Sequence, residues 1–303
     1  MRLILAACAA ACTVVWAFAP LAAADPIPNS VLSDPPQDKA HPANTLAFAL
    51  PTKGVKINAV FFAAAGAGPH PTVLLLHGLP GNEQNLDLAR AIQREGWNVL
   101  TLHYRGSWGS PGQYSFGHCL EDAAAALAWL RDPNTAAASS VDPARIVVVG
   151  HSLGGWVAAY TGAHDPGVMA TGMISAANMG GGMGALNHAM AAKLIDDNIG
   201  TTAGMHTLNA SPDGLADEVI HNAKDWSFVD WADGLGKHPL LIVTSNDGLA
   251  GQDDALRDKI KSGGAEPTYV HLDTDHSYDD QRIALEAAVI RWLENLPGAP
   301  AGL

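Results

Sequence analysis

The chain has 303 residues, of which 17 are basic and 30 acidic, and carries a net charge of −13 at pH 7. The acidic excess is spread without long runs of one sign, which argues against nucleic acid and against an anionic membrane surface as partners. Cysteine numbers three, and neither a phosphate loop nor a dinucleotide fingerprint occurs, so no cofactor is called for.

Arg2, an apolar run over 3–19 and Pro20-Leu21-Ala22-Ala23-Ala24 have the form of a basic n-region, an h-region and an A-x-A site. The expectation is a signal peptide over 1–24, cut after Ala24, and an exported protein, periplasmic or secreted, without a stable membrane anchor. Leu5-Ala6-Ala7-Cys8 has the shape of a lipoprotein box, but cleavage there would leave an h-region of about five residues, below the usual ~7–15. Lipidation at Cys8 is set aside. Cys8 and Cys12 leave with the leader, and Cys119, in an alanine-rich helix, is read as buried packing.

Residues 25–44, rich in Pro and Asp, form an N-terminal arm, and 45–303 form one α/β domain. Strands are predicted over 45–50 and 55–63. An uninterrupted apolar strand follows at 72–76, buried on both faces. Leu86, Ala89 and Ile92 mark the apolar face of a helix over 82–95, stopped by Gly96. Strand 97–102, helix 118–131, strand 145–149, helix 155–162 and strand 168–175 continue the alternation. Residues 176–237 break it with Asn178-Met179-Gly180-Gly181-Gly182-Met183-Gly184, short helical pieces, Trp226 and Trp231. This stretch is read as a small cap insertion over the strand ends, its glycines and methionines suggesting an adaptable lid. Strand 240–244, helix 253–262, strand 268–272 and helix 278–295 complete a mainly parallel sheet with helices on both faces, whose sites lie at the carboxyl ends of the strands.

Gly150-His151-Ser152-Leu153-Gly154 stands between a β-branched strand and a short helix. A G-x-S-x-G in that setting is a nucleophile elbow, with the serine on a strained turn and its hydroxyl exposed above the sheet. Such a serine needs a base, a group to orient that base, and donors for an oxyanion. Asp247, three residues past strand 240–244, is the candidate acid. Asp253 and Asp254 fall where the next helix should begin and read as caps. Among 13 histidines, His276, just past strand 268–272, is the candidate base; His271 should point into the sheet region. The acids Asp273, Asp275, Asp279 and Asp280 read as helix-start residues, not metal ligands. The oxyanion donors are expected from the backbone N–H of Leu153 and, in the loop His77-Gly78-Leu79-Pro80-Gly81, of Leu79, since Pro80 has none to give.

The loop 77–81, the loop Tyr104-Arg105-Gly106-Ser107-Trp108-Gly109-Ser110-Pro111-Gly112 and Gly150–Gly155 together resemble the α/β-hydrolase superfamily, in particular exported bacterial hydrolases of the prolyl-oligopeptidase-like and dienelactone-hydrolase-like branches. The resemblance implies an α/β-hydrolase fold and a serine hydrolase acting on small-molecule esters or short acyl substrates. It departs from true prolyl oligopeptidases in lacking a propeller-sized N-terminal domain, and from dienelactone hydrolases in having serine for cysteine. A small serine peptidase or amidase and a non-catalytic binding scaffold are the alternatives. Acyl preference and oligomeric state are not readable from these residues.

Overall fold

The computed structural model describes residues 26–200 and 206–300. The expected leader 1–24, its Ala24 cut and the Cys8 box lie outside the described residues. Among the described residues, no helix is long and apolar enough to cross a membrane.

In chain order the elements are α1 (Asn29–Leu32), β1 (Asn44–Thr52), β2 (Val55–Ala63), β3 (His70–Leu76), α2 (Leu86–Arg94), β4 (Asn98–Leu102), α3 (Phe116–Arg131), α4 (Pro133–Ala138), β5 (Val141–His151), α5 (Leu153–His164), β6 (Ala170–Ile174), α6 (His188–Ile199), α7 (Pro212–His221), α8 (Ala232–Leu235), β7 (Leu240–Thr244), α9 (Ala250–Ser262), β8 (Thr268–His271) and α10 (Arg282–Glu294). The eight strands form one sheet in the order β1-β2-β4-β3-β5-β6-β7-β8. Pairs β1–β2 and β2–β4 are antiparallel, and every pair from β4 to β8 is parallel.

The two faces follow from the period-2 alternation of the central strands. Leu74, Leu76 and Val148 turn to one side, where they share a core with Leu127 of α3 and Trp156 of α5. Val73, Leu75, Val147 and Val149 turn to the other, against Leu88 and Ile92 of α2 and Leu285 and Val289 of α10. A central strand buried on both faces therefore reads as a continuous apolar run. Cys119 is buried and free within α3, as its surroundings in the sequence suggested.

Several element bounds differ from expectation. Helix α2 begins at Leu86, not at 82, and Leu86 itself is exposed; Leu88, Ala89, Ala91 and Ile92 form the buried face. Helix α10 begins at Arg282, four residues later than expected, so Asp273, Asp275, Asp279 and Asp280 lie in the preceding loop and are not helix-start acids. Helix α9 begins at Ala250, which places Asp253 and Asp254 inside it and removes them as caps.

Between β6 and β7 the chain leaves the sheet and docks over α3 and α5. Trp226 packs edge-on against Trp156 at 5.1 Å and Phe116 at 6.5 Å, and the Trp156 indole N–H donates to the Trp226 carbonyl at 2.8 Å. Glu218 of α7 accepts from the Phe116 and Gly117 N–H groups at 2.9 and 3.0 Å, where α3 has unsatisfied donors. Met179 is buried and a Cβ at Gly180 would lie 2.1 Å from the Ala223 carbonyl, so the glycine-rich start of this segment is packed against its end.

Asp122 of α3, fully buried, ties three distant segments together. Its carboxylate accepts from the Thr52 hydroxyl at 2.8 Å, the Arg105 N–H at 2.8 Å and the Arg105 Nε at 2.7 Å. Burial pushes its carboxyl up, and the three bonds offset this only in part. Removing one partner of a buried pair leaves the other charge uncompensated, so Asp122→Ala is expected to lower unfolding free energy in urea by roughly 3 kcal/mol. A loss below about 1 kcal/mol would mean that Glu121, 2.5 Å from Arg105 Nη2, takes over the guanidinium.

Candidate active site

Strand β5 ends at His151 and α5 starts at Leu153, leaving Ser152 at the corner with φ 58° and ψ −120°. Backbone bonds hold this conformation, unusual for a residue with a Cβ. The Ser152 N–H donates to the Ile174 carbonyl at 2.9 Å, and its own carbonyl accepts from Gly155 and Ala177, each at 3.0 Å. The chain turns so tightly that a Cβ at Gly150 would sit 1.9 Å from the Gly154 carbonyl oxygen, and one at Gly154 2.2 Å from that of Leu76. The flanking glycines of the motif are required by close approach to backbone, which cannot give way.

The loop after β3 passes directly over this corner. A Cβ at position 78 would lie 2.9 Å from Ser152 Cβ and 3.4 Å from its Oγ. Leu79, the next residue of this loop, and Leu153 carry the two expected oxyanion donors, and neither N–H has an acceptor among the described residues. Leu153 is also the first residue of α5, where the helix dipole favours negative charge.

Asp247 stands in the turn after β7 and His276 in the loop after β8. Asp247 Oδ2 accepts from His276 Nδ1 at 2.7 Å, while its Oδ1 accepts from the Leu249 N–H at 2.9 Å. The aspartate side chain is 4% exposed and the histidine 39%. Burial alone would push the Asp247 carboxyl up; bonds from His276, the Leu249 N–H and the Ser175 hydroxyl outweigh it and hold the group down at about 2. His276 in turn lies against the elbow. Its carbonyl accepts from His151 Nε2 at 2.8 Å, and the two rings are 4.7 Å apart. Asp247 and His276 are thus in direct contact, and His276 abuts the residue preceding Ser152. No hydrogen bond joins the Ser152 hydroxyl to His276 among the described residues; such contacts commonly tighten only around substrate.

Behind Asp247 lies a hydroxyl cluster that the sequence did not reveal. Ser175, at φ 41°, bonds the Tyr278 hydroxyl at 2.8 Å and the Ser245 hydroxyl at 3.1 Å. Tyr278 is also at positive φ and fully buried. The available signal was positional, since Ser175 and Ser245 each follow the last residue of a parallel strand. Arg282 was missed as well. It donates to the Ser277 carbonyl at 2.8 Å and pairs with both oxygens of Asp87 at 2.6 and 2.7 Å, fastening the His276 loop to α2.

The other candidates fall elsewhere. His271 lies on the edge strand and is exposed, not directed into the sheet, with its ring bonded to the Thr244 hydroxyl at 2.9 Å. Asp253 is fully buried in α9 with neither carboxylate oxygen partnered, and burial, then Asp247 nearby, raises it well above the ordinary aspartate value. Asp275 accepts from the Ser277 and Asp279 N–H groups, and Asp280 bonds Thr274, so the acids of this loop shape its turns. Among the described residues no group of three His, Cys, Asp or Glu side chains is placed to hold a metal.

The sequence matches the Alpha/beta hydrolase family over residues 73–299. It is 38% identical over 106 residues to an uncharacterized protein of Mycobacterium tuberculosis, Rv2307c, covering 35% of this chain and 36% of that protein. It is 36% identical over 115 residues to the alpha/beta hydrolase domain-containing protein WAV2 of Arabidopsis thaliana, covering 37% of this chain and 36% of WAV2. These matches therefore span about a third of the length of either relative. The fold is similar to the carboxylesterase EstE1 from a metagenomic library (TM-score 0.58, 22% identity, 83% of this chain and 90% of that one). It is also similar to the Pyrococcus furiosus esterase Pf2001 (0.59, 18%, 87% and 99%) and to an acylaminoacyl peptidase (0.63, 14%, 84% and 42%).

Two buried histidines flank the elbow, and both stay neutral in mild acid. Burial, then His276 beside it, holds His151 down at about 3; burial, then His103, holds His77 at about 4 against the pull of its bond to the Gly78 carbonyl. Unfolded histidines titrate at about 6.5, so below that pH the unfolded chain binds more protons at these sites and stability falls as pH falls. Glu286, raised to about 7 by burial and then by Asp87, and Asp253 bind protons in the folded state and oppose this trend, so the readout is a difference between proteins. Between about pH 7 and about pH 5, wild type is expected to lose roughly 2 kcal/mol more unfolding free energy than His151→Gln. Equal slopes in urea titrations would place the His151 imidazolium in a site that tolerates charge.

Proposed function

This chain belongs to the alpha/beta hydrolase family, and we propose that it is a serine hydrolase cleaving carboxylic esters through an acyl-enzyme. The observation that supports this reading is the strained Ser152 corner lying under the loop 77–81, with the Leu79 and Leu153 N–H groups lacking acceptors and a carboxylate-bonded imidazole against the neighbouring His151.

Ser152 Oγ attacks the ester carbonyl carbon and its proton passes to His276 Nε2, the ring nitrogen left free by the bond to Asp247. Asp247, which stays ionised because its bonds hold it at about 2, fixes the tautomer and balances the imidazolium that forms. The carbonyl oxygen, now an oxyanion, is received by the Leu79 and Leu153 N–H groups, each such donor being worth about 10²–10³ in rate. Collapse expels the alcohol, which takes the proton from His276. Water then repeats the sequence on the acyl group and frees Ser152. The segment 176–237 is assigned the role of shaping the acyl pocket.

Peptide amides are the second substrate class, favoured by the fold likeness to an acylaminoacyl peptidase. The residues would be the same, but an amine leaving group demands fuller protonation in the transition state.

A series of p-nitrophenyl esters from acetate to long acyl chains, run beside aminoacyl p-nitroanilides, tests the proposal. Ester turnover should exceed anilide turnover and fall by at least about 10³-fold in Ser152→Ala. Full turnover in that variant would refute a serine mechanism, dominant anilide cleavage would move the protein to the peptidases, and silence on every substrate together with no labelling by a fluorophosphonate would support a binding scaffold.

A further inference from the structure

Trp108 is the least expected neighbour of the loop after β3. Its indole Nε1 donates to the Pro80 carbonyl at 2.7 Å, and a Cβ at Gly81 would lie 2.9 Å from that nitrogen. The His77 ring lies on the same loop from below, 2.6 Å from the same Cβ position, and His103 fills the space between the two aromatic rings at centroid distances of 5.2 and 6.0 Å. The loop that carries Leu79 is therefore held by a hydrogen bond from outside its own strand.

Burial does not explain why Trp108 stays where it is. The residue is 37% exposed and has φ 47°, in the left-handed region that a bulky side chain rarely occupies. Its place is set by the insertion between β6 and β7. The Trp108 N–H donates to the Thr207 carbonyl at 3.0 Å, and Ser107 and Leu208 form an antiparallel bridge. Asn209 donates from its backbone to the Gly106 carbonyl at 2.7 Å and from its side chain to the Gly112 carbonyl at 2.8 Å, and it accepts from the Tyr114 N–H at 3.1 Å. Segment 207–209 is in effect an added strand clasping the loop 106–114.

We propose that Trp108 is a positioning residue through which the insertion sets the geometry of the Leu79 oxyanion donor. The chain of contacts runs from Thr207–Asn209 to the backbone of 106–114, then through the indole to the Pro80 carbonyl, one residue from the Leu79 N–H. A substrate group that engages segment 207–209 tightens the donor loop, and one too short to reach it leaves the loop looser. The insertion thereby acts on turnover as well as on fit, because a displacement of about 1 Å at a reacting centre can cost on the order of 10²-fold in rate. This rests on the assignment of Leu79 as an oxyanion donor.

The test compares wild type, Trp108→Phe, which keeps the ring and loses the N–H, and Asn209→Ala, which loosens the clasp without touching the loop. The first readout needs no activity: ¹⁵N order parameters of the Gly78, Leu79 and Gly81 amides should fall from about 0.85 to below about 0.6 in Trp108→Phe and move the same way in Asn209→Ala. The second is kinetic: kcat on a p-nitrophenyl ester should drop about 10- to 100-fold in Trp108→Phe with KM held within about twofold. Order parameters unchanged in both variants, or a loss carried wholly by KM, would overturn the strut. If the amides loosen while wild-type turnover proves independent of Ser152, the strut stands and the ester-hydrolase reading falls. If turnover depends on Ser152 and the amides stay rigid, the reverse holds.

Discussion

Close backbone packing at the end of β5 is the constraint from which the rest of the site follows. The chain can turn from β5 into α5 within one residue only if nothing projects from positions 150 and 154, since a Cβ at either would meet a carbonyl oxygen at about van der Waals overlap. That closeness lets Ser152 bond to Ile174 at the end of β6 and receive Ala177 beyond it, so the ends of β5 and β6 are locked to one corner. Gly154 presses on Leu76 at the end of β3, which brings the loop after β3 over Ser152. Three adjacent parallel strands thus bring a hydroxyl, a helix N-terminus and the loop 77–81 together through close backbone contact.

The Asp247–His276 pair is held differently. Asp247 and His276 sit on longer excursions after β7 and β8, and nothing in those strands dictates where the loops go. Polar bonds do that work: the Leu249 N–H and the Ser175 hydroxyl on Asp247, the Asn246 N–H on the Thr274 carbonyl, His151 on the His276 carbonyl, Arg282 on Ser277. The Ser152 corner is therefore a property of backbone geometry, and the Asp247–His276 pair a property of a polar network. The same split governs charge. Asp247 is held low because its carboxylate is well supplied with donors, while Asp253, a few residues on and fully buried, has none and is driven up.

This division also explains what could be read in advance. The doubly buried strands, the alternation and the elbow are local patterns, and the α/β fold follows from them. Asp247 and His276 became candidates because each follows a strand, a rule of position that needs no contact. What the chain conceals is pairing across distance. Thr52 and Asp122 are 70 residues apart, Asp87 and Arg282 are 195, and Trp108 meets Pro80 across 28. No periodicity encodes such partners. Helix starts were missed for a related reason: Asp253 has the look of a cap, but α9 begins earlier, at Ala250, where neither a side-chain cap nor a proline marks the start. The displaced start of α10 arises because the 273–280 loop is built from turns whose acids bond backbone N–H groups, a role that resembles capping in sequence.

The Arg282–Asp87 pair has a consequence for how the molecule responds to its medium. Arg282 is 20% exposed and Asp87 41%, so dissolved ions reach this fastening, with a screening length of about 10 Å at 0.1 M salt. The elbow contains no ion pair, so screening reaches it less directly. Ionic strength therefore acts on the two halves unequally, slackening the loop that carries the imidazole more than the serine corner.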